Sequence, residues 1–416
     1  MKHLFFLFLI FLSFFSVATE RDTTYVKNIR TVQLYTASSE ESDNKQVLNP
    51  AVSTVNGNPL TIEFDVLEEY APSSFMFQVF HCSKKWTISD ILTSEFLDEF
   101  NEFMSYDIVP SSTRGVQYYH CKANLPKLKL SGNYILHILS EDGDILLKRR
   151  FLIVKNQLSI QQLINATTSR ISTQELSFTA TMPVSFPFDF MDFTSVAVRK
   201  NWRWDTFRML KKPSFINQQN KEIRFNSAFN NTVYPSCSEF YTVDIRNEAS
   251  LGIGVQNIIR KGDTMTYLLY ENEFKPNTYF SRQDINGQFI IDQYQYGDGQ
   301  VNGEYTKAIF SLNYSLPITG KAYVMGGFNN WKKEKSNELH FNPSTRNYQA
   351  TIPLKQGYYN YAFELEKPNG QLDEGYFMGN FPQTENVYEI IVYYYNEELQ
   401  TEEIIGYKQV KSPFGR

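Results

Sequence analysis

Cysteine, histidine and tryptophan are scarce in this chain of 416 residues, which contains three, five and four of them respectively. Three cysteines are too few for a disulfide framework, and their number is odd. One of the five histidines is His3, and no common catalytic or phosphate-binding motif occurs in the sequence. We therefore expect no enzymatic activity, no metal site and no cofactor.

A strong charge of either sign is also lacking. Lys and Arg number 40 and Asp and Glu number 45, which gives a formal net charge of -5. Binding to nucleic acid requires concentrated positive charge, so we expect no nucleic-acid partner. The same balance provides no attraction toward an anionic membrane surface.

Long hydrophobic runs are absent except at the amino terminus. The basic start Met1-Lys2-His3 precedes an apolar run from Leu4 to Phe15, and small residues lead to a cleavage site after Ala18. The run is shorter than the ~20 residues that a membrane-spanning helix requires. We predict a signal peptide over residues 1–18 and an exported mature protein that does not insert into the membrane.

Aromatic residues are abundant, at 16% of the chain, with 27 Tyr and 34 Phe. Such residues suit the half-buried surface of a sheet. Apolar residues alternate with polar ones from Leu60 to Val66, the period of a strand with one buried face. Short strands with frequent turns predict an all-β protein built from tandem immunoglobulin-like β-sandwich domains.

One segment has helical rather than strand periodicity. Apolar residues between Trp86 and Tyr106 fall on one helical stripe, and Thr87 with Asp90 is typical of a capping box. We predict a helix near 87–105, inserted in the N-terminal domain, with its stripe packed into the core.

Composition and turn residues divide the mature chain into three domains. A polar stretch rich in Gln, Asn, Thr and Ser begins at Leu158, and a third block begins near Glu304. We predict an N-terminal β-sandwich over 19–157, a middle β domain over 158–303 and a C-terminal β-sandwich over 304–416.

Three tryptophans are candidate partner-binding residues. Trp202 and Trp204 would share one face of a strand, where they form either a binding platform or a packed ladder. Trp331 ends a turn that resembles the Gly-x-Phe-Asn-x-Trp turn of early-set modules, some of which bind starch or glycogen. An exported carbohydrate-binding protein, with Trp331 and Tyr358 or Tyr361 stacking on sugar rings, is therefore an alternative function.

Two cysteines lie in strands predicted to be adjacent. Cys82 and Cys121 could form a disulfide in an oxidising compartment, and Cys237 would then remain as a buried apolar residue. Each of the pair follows a histidine, but neighbours in a strand point to opposite faces, which disfavours a metal site.

Motifs along almost the whole mature chain resemble, in their order, those of the type IX secretion system plug protein family. They are His81-Cys82 with Trp86, Ser94–Leu97, Thr113, Tyr119–Cys121, Ser131–Tyr134, Asn201–Asp205, Glu239-Phe240, Asp284–Gly287, Tyr323–Trp331, Leu354–Tyr361, Thr384–Asn386 with Tyr388, and Ile404–Gly406. Three positions depart from that pattern. Tyr241 stands where we expect Arg, Cys121 where we expect Tyr, and Met378 where we expect an acidic residue.

The resemblance implies a non-enzymatic periplasmic protein at the inner face of the outer membrane. Its partner would be the large outer-membrane β-barrel translocon of the type IX system, whose periplasmic opening it would plug. The family carries no catalytic motif that could be transferred to this chain.

A glycoside-active enzyme with unrecognised carboxylates is a third reading, since the separation of such a pair is set in space rather than in sequence.

Overall fold

The structure, a computed structural model, describes residues 19–68, 72–166, 173–229 and 232–412. Strands dominate these residues and form six sheets, which pack in pairs as three β-sandwiches. The predicted all-β class with tandem sandwiches is confirmed. The predicted signal peptide, residues 1–18, lies outside the described residues.

The first sandwich is formed by ten strands between residues 23 and 154. They are β1 (Thr23–Thr24), β2 (Ile29–Thr36), β3 (Val52–Thr54), β4 (Leu60–Val66), β5 (Phe75–Cys82), β6 (Phe103–Ser105), β7 (Ile108–Pro110), β8 (Tyr119–Asn124), β9 (Gly132–Leu139) and β10 (Ile145–Val154). One sheet has the order β1-β10-β9-β5-β6, with β3 paired to β10, and the other has the order β2-β4-β8-β7. Tyr134, Leu136 and Ile138 of β9 alternate into the core between the two sheets.

The second sandwich begins immediately after the first. Its first strands are β11 (Ser159–Ala166), β12 (Thr173–Thr181), β13 (Thr194–Lys200), β14 (Arg208–Met209), β15 (Phe215–Asn217), β16 (Glu222–Phe225) and β17 (Val233–Pro235). One sheet has the order β11-β12-β16-β15, with β17 paired to β12, while β13 and β14 start the opposite sheet.

The third sandwich is built from the next eleven strands. They are β18 (Tyr241–Asp244), β19 (Val255–Lys261), β20 (Thr264–Leu269), β21 (Asn272–Glu273), β22 (Phe289–Ile291), β23 (Tyr305–Asn313), β24 (Lys321–Met325), β25 (His340–Asn342), β26 (Asn347–Lys355), β27 (Gly357–Glu366) and β28 (Leu372–Asp373). One sheet has the order β18-β27-β22, with β24 and β28 also paired to β27. The other has the order β19-β20-β23-β26-β25, with β21 paired to β23.

The chain then returns to the second sandwich through β29 (Asn386–Asn396) and β30 (Thr401–Ser412). These strands complete the sheet β14-β13-β29-β30, where Val196 lies opposite Val392. The third sandwich is therefore inserted between strands of the second. This corrects the predicted boundary between 303 and 304, because strands on both sides of that boundary share the sheets and core of the third sandwich.

Strand β29 explains the apolar run at residues 390–393. Ile390 and Val392 pack into the core of the second sandwich, whereas Ile391 and Tyr393 pack against the first sandwich. Because both faces of this sheet are covered, its central strand is apolar at consecutive positions rather than alternate ones.

Helices are short throughout the described residues. They are α1 (Asp43–Gln46), α2 (Thr93–Phe96), α3 (Phe190–Phe193), α4 (Gly299–Asn302) and two 3₁₀ turns at Trp204–Thr206 and Gly327–Asn329.

The helix predicted near 87–105 exists only as the single turn α2. The N-cap is Leu92 rather than Thr87, and it makes no side-chain capping bond. The segment instead follows the edge of β5. The side-chain amide of Asn101 donates to the carbonyl of Val79 and accepts from its N–H, at 2.7 and 2.8 Å, and β6 then pairs with Phe75–Phe77. Hydrogen bonding to an open sheet edge therefore replaces the helical bonds that the periodicity predicted.

Candidate functional site

The first and second sandwiches meet in a shared apolar cluster. Cys82, Ile135 and Leu152 of the first contact Ile391 and Ile404 of the second. At the edge of this cluster the ring of Trp86 meets the ring of Trp204 edge to face, with centroids 4.7 Å apart. The two sandwiches are thus joined by a continuous buried surface.

Two arginines from different sandwiches lie against the same indole. The guanidinium carbons of Arg199 and Arg150 lie 3.8 and 4.6 Å from the ring centre of Trp204. Arg199 forms a bidentate ion pair with buried Glu389, and Arg150 pairs with Asp22. Guanidinium groups are suited to this combination of aromatic stacking and carboxylate pairing.

The first and third sandwiches are joined by buried charges. Asp65 accepts from Lys355 Nζ at 2.6 Å and from the hydroxyl of Tyr305 at 2.8 Å, and His120 Nδ1 lies 2.9 Å away. Burial lowers the pKa of Lys355, and the charge of Asp65 opposes that effect. At the rim of the same interface, Arg114 donates to both carboxylate oxygens of Glu248.

The second and third sandwiches are joined by a second buried polar cluster. Arg203 pairs with Glu364 at 2.8 Å and with Glu374 at 3.4 Å, and Lys200 pairs with Glu374 at 2.9 Å. Burial raises the pKa of Glu364. Burial also opposes ionisation of Glu374, but Lys200 and Arg203 outweigh it and lower the pKa of that carboxyl.

The predicted tryptophan pair does not lie on a strand. Strand β13 ends at Lys200, and Trp202 lies in the following turn with a φ of 57°, while Trp204 starts a 3₁₀ turn. This corrects the expectation that both rings share one strand face. Even so, Trp202 and Trp204 line one cavity together with Trp331 from the third sandwich.

Trp331 is half-buried at the junction of the sandwiches rather than exposed as a surface platform. The guanidinium carbon of Arg203 lies 4.0 Å from its ring centre, and Phe240 meets its edge at 5.7 Å. Tyr361, the other proposed sugar contact, is only 3% exposed, and half-buried Tyr358 lies 5.3 Å from Arg246. The predicted sugar platform is therefore not assembled at these rings.

All three cysteines are free, so the possible Cys82–Cys121 disulfide is not formed. Cys82 lies on β5 and packs against the second sandwich, whereas Cys121 lies on β8 in the opposite sheet. Cys237 lies 3.2 Å from Lys200 Nζ, and burial raises its pKa to about 12. Among the described residues, no cluster of three or more His, Cys, Asp or Glu could hold a metal ion.

The segment that was expected to be a helix carries an exposed apolar surface. We call residues 88–116 the apolar segment. Leu92 is 71% exposed and Phe100 is 92% exposed, although both belong to the stripe predicted to face the core. The other exposed apolar side chains of the segment are Ile88, Met104, Tyr106, Val109 and Val116. Clustered exposed apolar residues commonly mark interaction surfaces.

Comparison with protein families identifies the first sandwich. Residues 29–155 match the family model of the type 9 secretion system plug protein first domain. The match includes nearly all strands of the first sandwich and the whole apolar segment. No curated protein matches the chain.

The three-sandwich arrangement also occurs in a solved structure. A crystal structure of a hypothetical protein from Parabacteroides merdae aligns with a TM-score of 0.85 and 23% identity, covering 95% of this chain and 100% of that chain. The two proteins therefore share the complete fold. The BSP domain of a biofilm-associated protein gives a TM-score of only 0.18 at 7% identity, over 92% of this chain and 58% of that chain. Dimeric latent PorU from Porphyromonas gingivalis gives a TM-score of 0.13 at 8% identity, over 92% of this chain and 34% of that chain.

Within the described ranges, none of the helices combines the length and the apolar character needed to cross a lipid bilayer.

Proposed function

We propose that this chain is a member of the type IX secretion system plug protein family and that it plugs the secretion translocon from the periplasm, because residues 29–155 match the model of that family's first domain. In this proposal it is a non-enzymatic component, exported by the predicted signal peptide. It docks on the periplasmic opening of the outer-membrane translocon barrel and blocks it. The observation that carries the proposal is the match of the first sandwich to the plug domain.

The way the sandwiches are joined supports this function. A plug must keep its shape against a wide opening, and separate domains on flexible linkers would not. Here the insertion of the third sandwich into the second, the apolar cluster around Ile391 and the buried pair of Asp65 with Lys355 connect all three sandwiches. Inter-domain surfaces that are large and apolar oppose relative domain motion.

We assign the docking surface to the apolar segment. It lies inside the matched plug domain, and although Phe96 and Leu97 are buried in the core, seven of its apolar side chains are exposed. Aromatic and large aliphatic anchors such as Phe100 and Leu92 are typical of the residues that supply most binding energy at a protein interface. The partner is the periplasmic rim of the translocon barrel.

The test is a tagged pull-down from detergent-solubilised envelopes of the source bacterium, read by mass spectrometry. Co-purification of one very large outer-membrane barrel in near-equal amount is expected. Its absence, under conditions that preserve other envelope complexes, would contradict the proposed function.

A pair of double variants tests the docking surface separately. Leu92→Ser with Phe100→Ser should reduce barrel recovery at least tenfold, because both anchors are lost without disturbing the core. The matched control is Val184→Ser with Phe229→Ser, since these side chains of the second sandwich are 91% and 75% exposed. Equal recovery with both double variants would place the docking surface elsewhere while leaving the plug function intact.

A further inference from the structure

A cavity of about 130 Å³ lies where the three sandwiches meet, and we call it the junction cavity. Its aromatic lining comes from Trp202, Trp204 and Trp331, and its charged lining from Arg149, Arg150, Arg199 and Asp22. The volume is close to the ~150 Å³ of an engineered cavity that holds benzene. The cavity is thus large enough for a small organic group.

The charges around the junction cavity are not balanced. Arg199 is paired with Glu389 and Arg150 with Asp22. Arg149 donates only to the carbonyls of Thr23 and Lys148 and to the hydroxyl of Thr24, and it forms no ion pair with a carboxylate of the described residues.

A second cation increases the imbalance. Lys332 follows Trp331, is half-buried, and has its pKa lowered by burial and by the charge of Arg149, against the opposing charges of Glu334 and Asp22. Glu334 itself is exposed. The charge of Arg149, which lines the cavity, therefore repels that of Lys332, which does not, and an anion beside Arg149 would reduce this repulsion.

Two polar atoms in the lining lack hydrogen-bond partners. The indole Nε1 of Trp202 and the amide Oε1 of Gln33 are both buried and unpaired. Gln33 is only 7% exposed, and its Nε2 donates to the carbonyl of Phe289 in the third sandwich. A buried donor without an acceptor is costly, so an acceptor that reached the Trp202 N–H would be bound favourably.

The backbone of the tryptophans is held in an unfavourable conformation. Trp86, Trp202 and Trp331 have φ values of 63°, 57° and 56°, in the left-handed region that bulky residues rarely adopt. Three of the four tryptophans of the chain are therefore held against strain at a single place, as is common at ligand-binding positions.

We propose that the junction cavity is a binding site for a small oxyanion, either a carboxylate or a phosphate group. The guanidinium of Arg149 and the indole N–H of Trp202 would donate hydrogen bonds to the anion, and the rings of Trp204 and Trp331 would form its apolar walls. Guanidinium donors match the geometry of both anions. The proposal does not depend on the docking function.

Intrinsic tryptophan fluorescence provides a direct test, because all four tryptophans lie at this junction. The full mature protein is titrated with sodium acetate and, separately, with inorganic phosphate, at constant ionic strength set with sodium chloride. Acetamide serves as the neutral analogue of acetate. We expect a saturable fluorescence change and a raised melting temperature with at least one of the two anions. A response to acetate alone would identify a carboxylate ligand, and a response to phosphate alone a phosphate ligand.

Substitutions in the cavity lining test which side chains bind the anion. Arg149→Gln should weaken apparent affinity at least tenfold, whereas Arg30→Gln, an exposed arginine of the same sandwich, should leave it unchanged. Trp202→Phe removes only the N–H donor and should also weaken binding, which keeps the test valid if Arg149→Gln does not fold. No response to either anion, an equal response to acetamide, or an unchanged affinity in both Arg149→Gln and Trp202→Phe would overturn the proposal.

Discussion

Burial changes the chemistry of single residues in the first sandwich, and His81 is the clearest case. Its Nδ1 lies 2.9 Å from the hydroxyl of Ser89, and its ring packs edge to face on Tyr134. Burial lowers its pKa to about 4, although Ser131, Glu403 and Glu402 oppose the effect. The folded protein therefore holds His81 neutral at a pH where an unfolded chain would protonate it.

The stability of the protein should consequently depend on His81 in mild acid. Because the folded pKa is lower than the unfolded value of about 6.5, stability is lost as pH falls from 6.5 toward 4, by on the order of 3 kcal/mol. The raised pKa values of Glu239, about 7, and Asp284, about 6, act in the opposite direction. The test therefore compares the free energy of unfolding in urea of wild type with that of His81→Gln, at pH 7.5 and at pH 4.5. The stability advantage of wild type should shrink at pH 4.5, and a difference independent of pH would contradict this assignment.

Cysteine reactivity gives a second prediction for single residues. Burial raises the pKa of Cys82 and of Cys237 to about 12, and it raises that of Cys121 as well. Since the thiolate is the reactive form, the native protein should alkylate very slowly. In denaturant without reductant, mass measurement should find three alkylated cysteines. A single adduct would instead show that two of the three are bonded, and a peptide digest would show whether they are Cys82 and Cys121.

Among the secondary-structure elements, the edge of β5 decides the conformation of the apolar segment. Asn101 acts as a substitute strand partner for Val79, whose backbone would otherwise lack hydrogen bonds on that side. Asn101→Ala should lower the free energy of unfolding by roughly 1–3 kcal/mol, because a buried N–H and carbonyl lose their partners. Urea unfolding measures this loss, with exposed Asn58→Ala as the control. Equal effects of the two substitutions would mean that the segment needs no such anchor.

The same segment shows what periodicity could and could not predict. The alternation in β4 and the continuous apolar run of β5 identify both segments as strands, but neither pattern predicts burial correctly. Every residue of β4 is buried, including Glu63 and Asp65, so the expected single buried face is wrong, whereas burial alternates along most of β5. Residues 88–103 have the apolar period of a helix, but they form only a single helical turn. The competing interaction was the open edge of β5, which Asn101 contacts at Val79, 22 residues earlier in the chain, and periodicity within the segment does not include that edge.

The candidate site was predicted only in part for a related reason. The sequence indicates Trp202, Trp204 and Trp331 as unusual residues, but nothing in their spacing places them at one cavity with Arg149. Their convergence depends on the insertion of the third sandwich into the second. The return of β29 to pair with β13 across 185 intervening residues is a long-range contact that turn and composition signals do not reveal.

For the whole molecule, the junction should make unfolding cooperative across domains. Large proteins commonly unfold domain by domain. Here each pair of sandwiches shares buried contacts, through Ile391, Asp65 and Arg203 respectively. Loss of one sandwich would leave charges such as Lys355 without a partner, at a cost of about 3–5 kcal/mol.

Urea unfolding followed by two probes tests this cooperativity. Tryptophan fluorescence reports on the junction, where all four tryptophans lie, and far-ultraviolet circular dichroism reports on strands throughout the protein. The two transitions should coincide in wild type, as two-state behaviour requires.

Asp65→Asn should lower both midpoints and separate the two curves, because it weakens the contact between the first and third sandwiches. Lys129→Gln, which removes an ion pair with the 85% exposed Asp98 of the first sandwich, should leave the curves coincident. A fluorescence transition that precedes the dichroism transition in wild type would show that the junction opens before the sandwiches unfold.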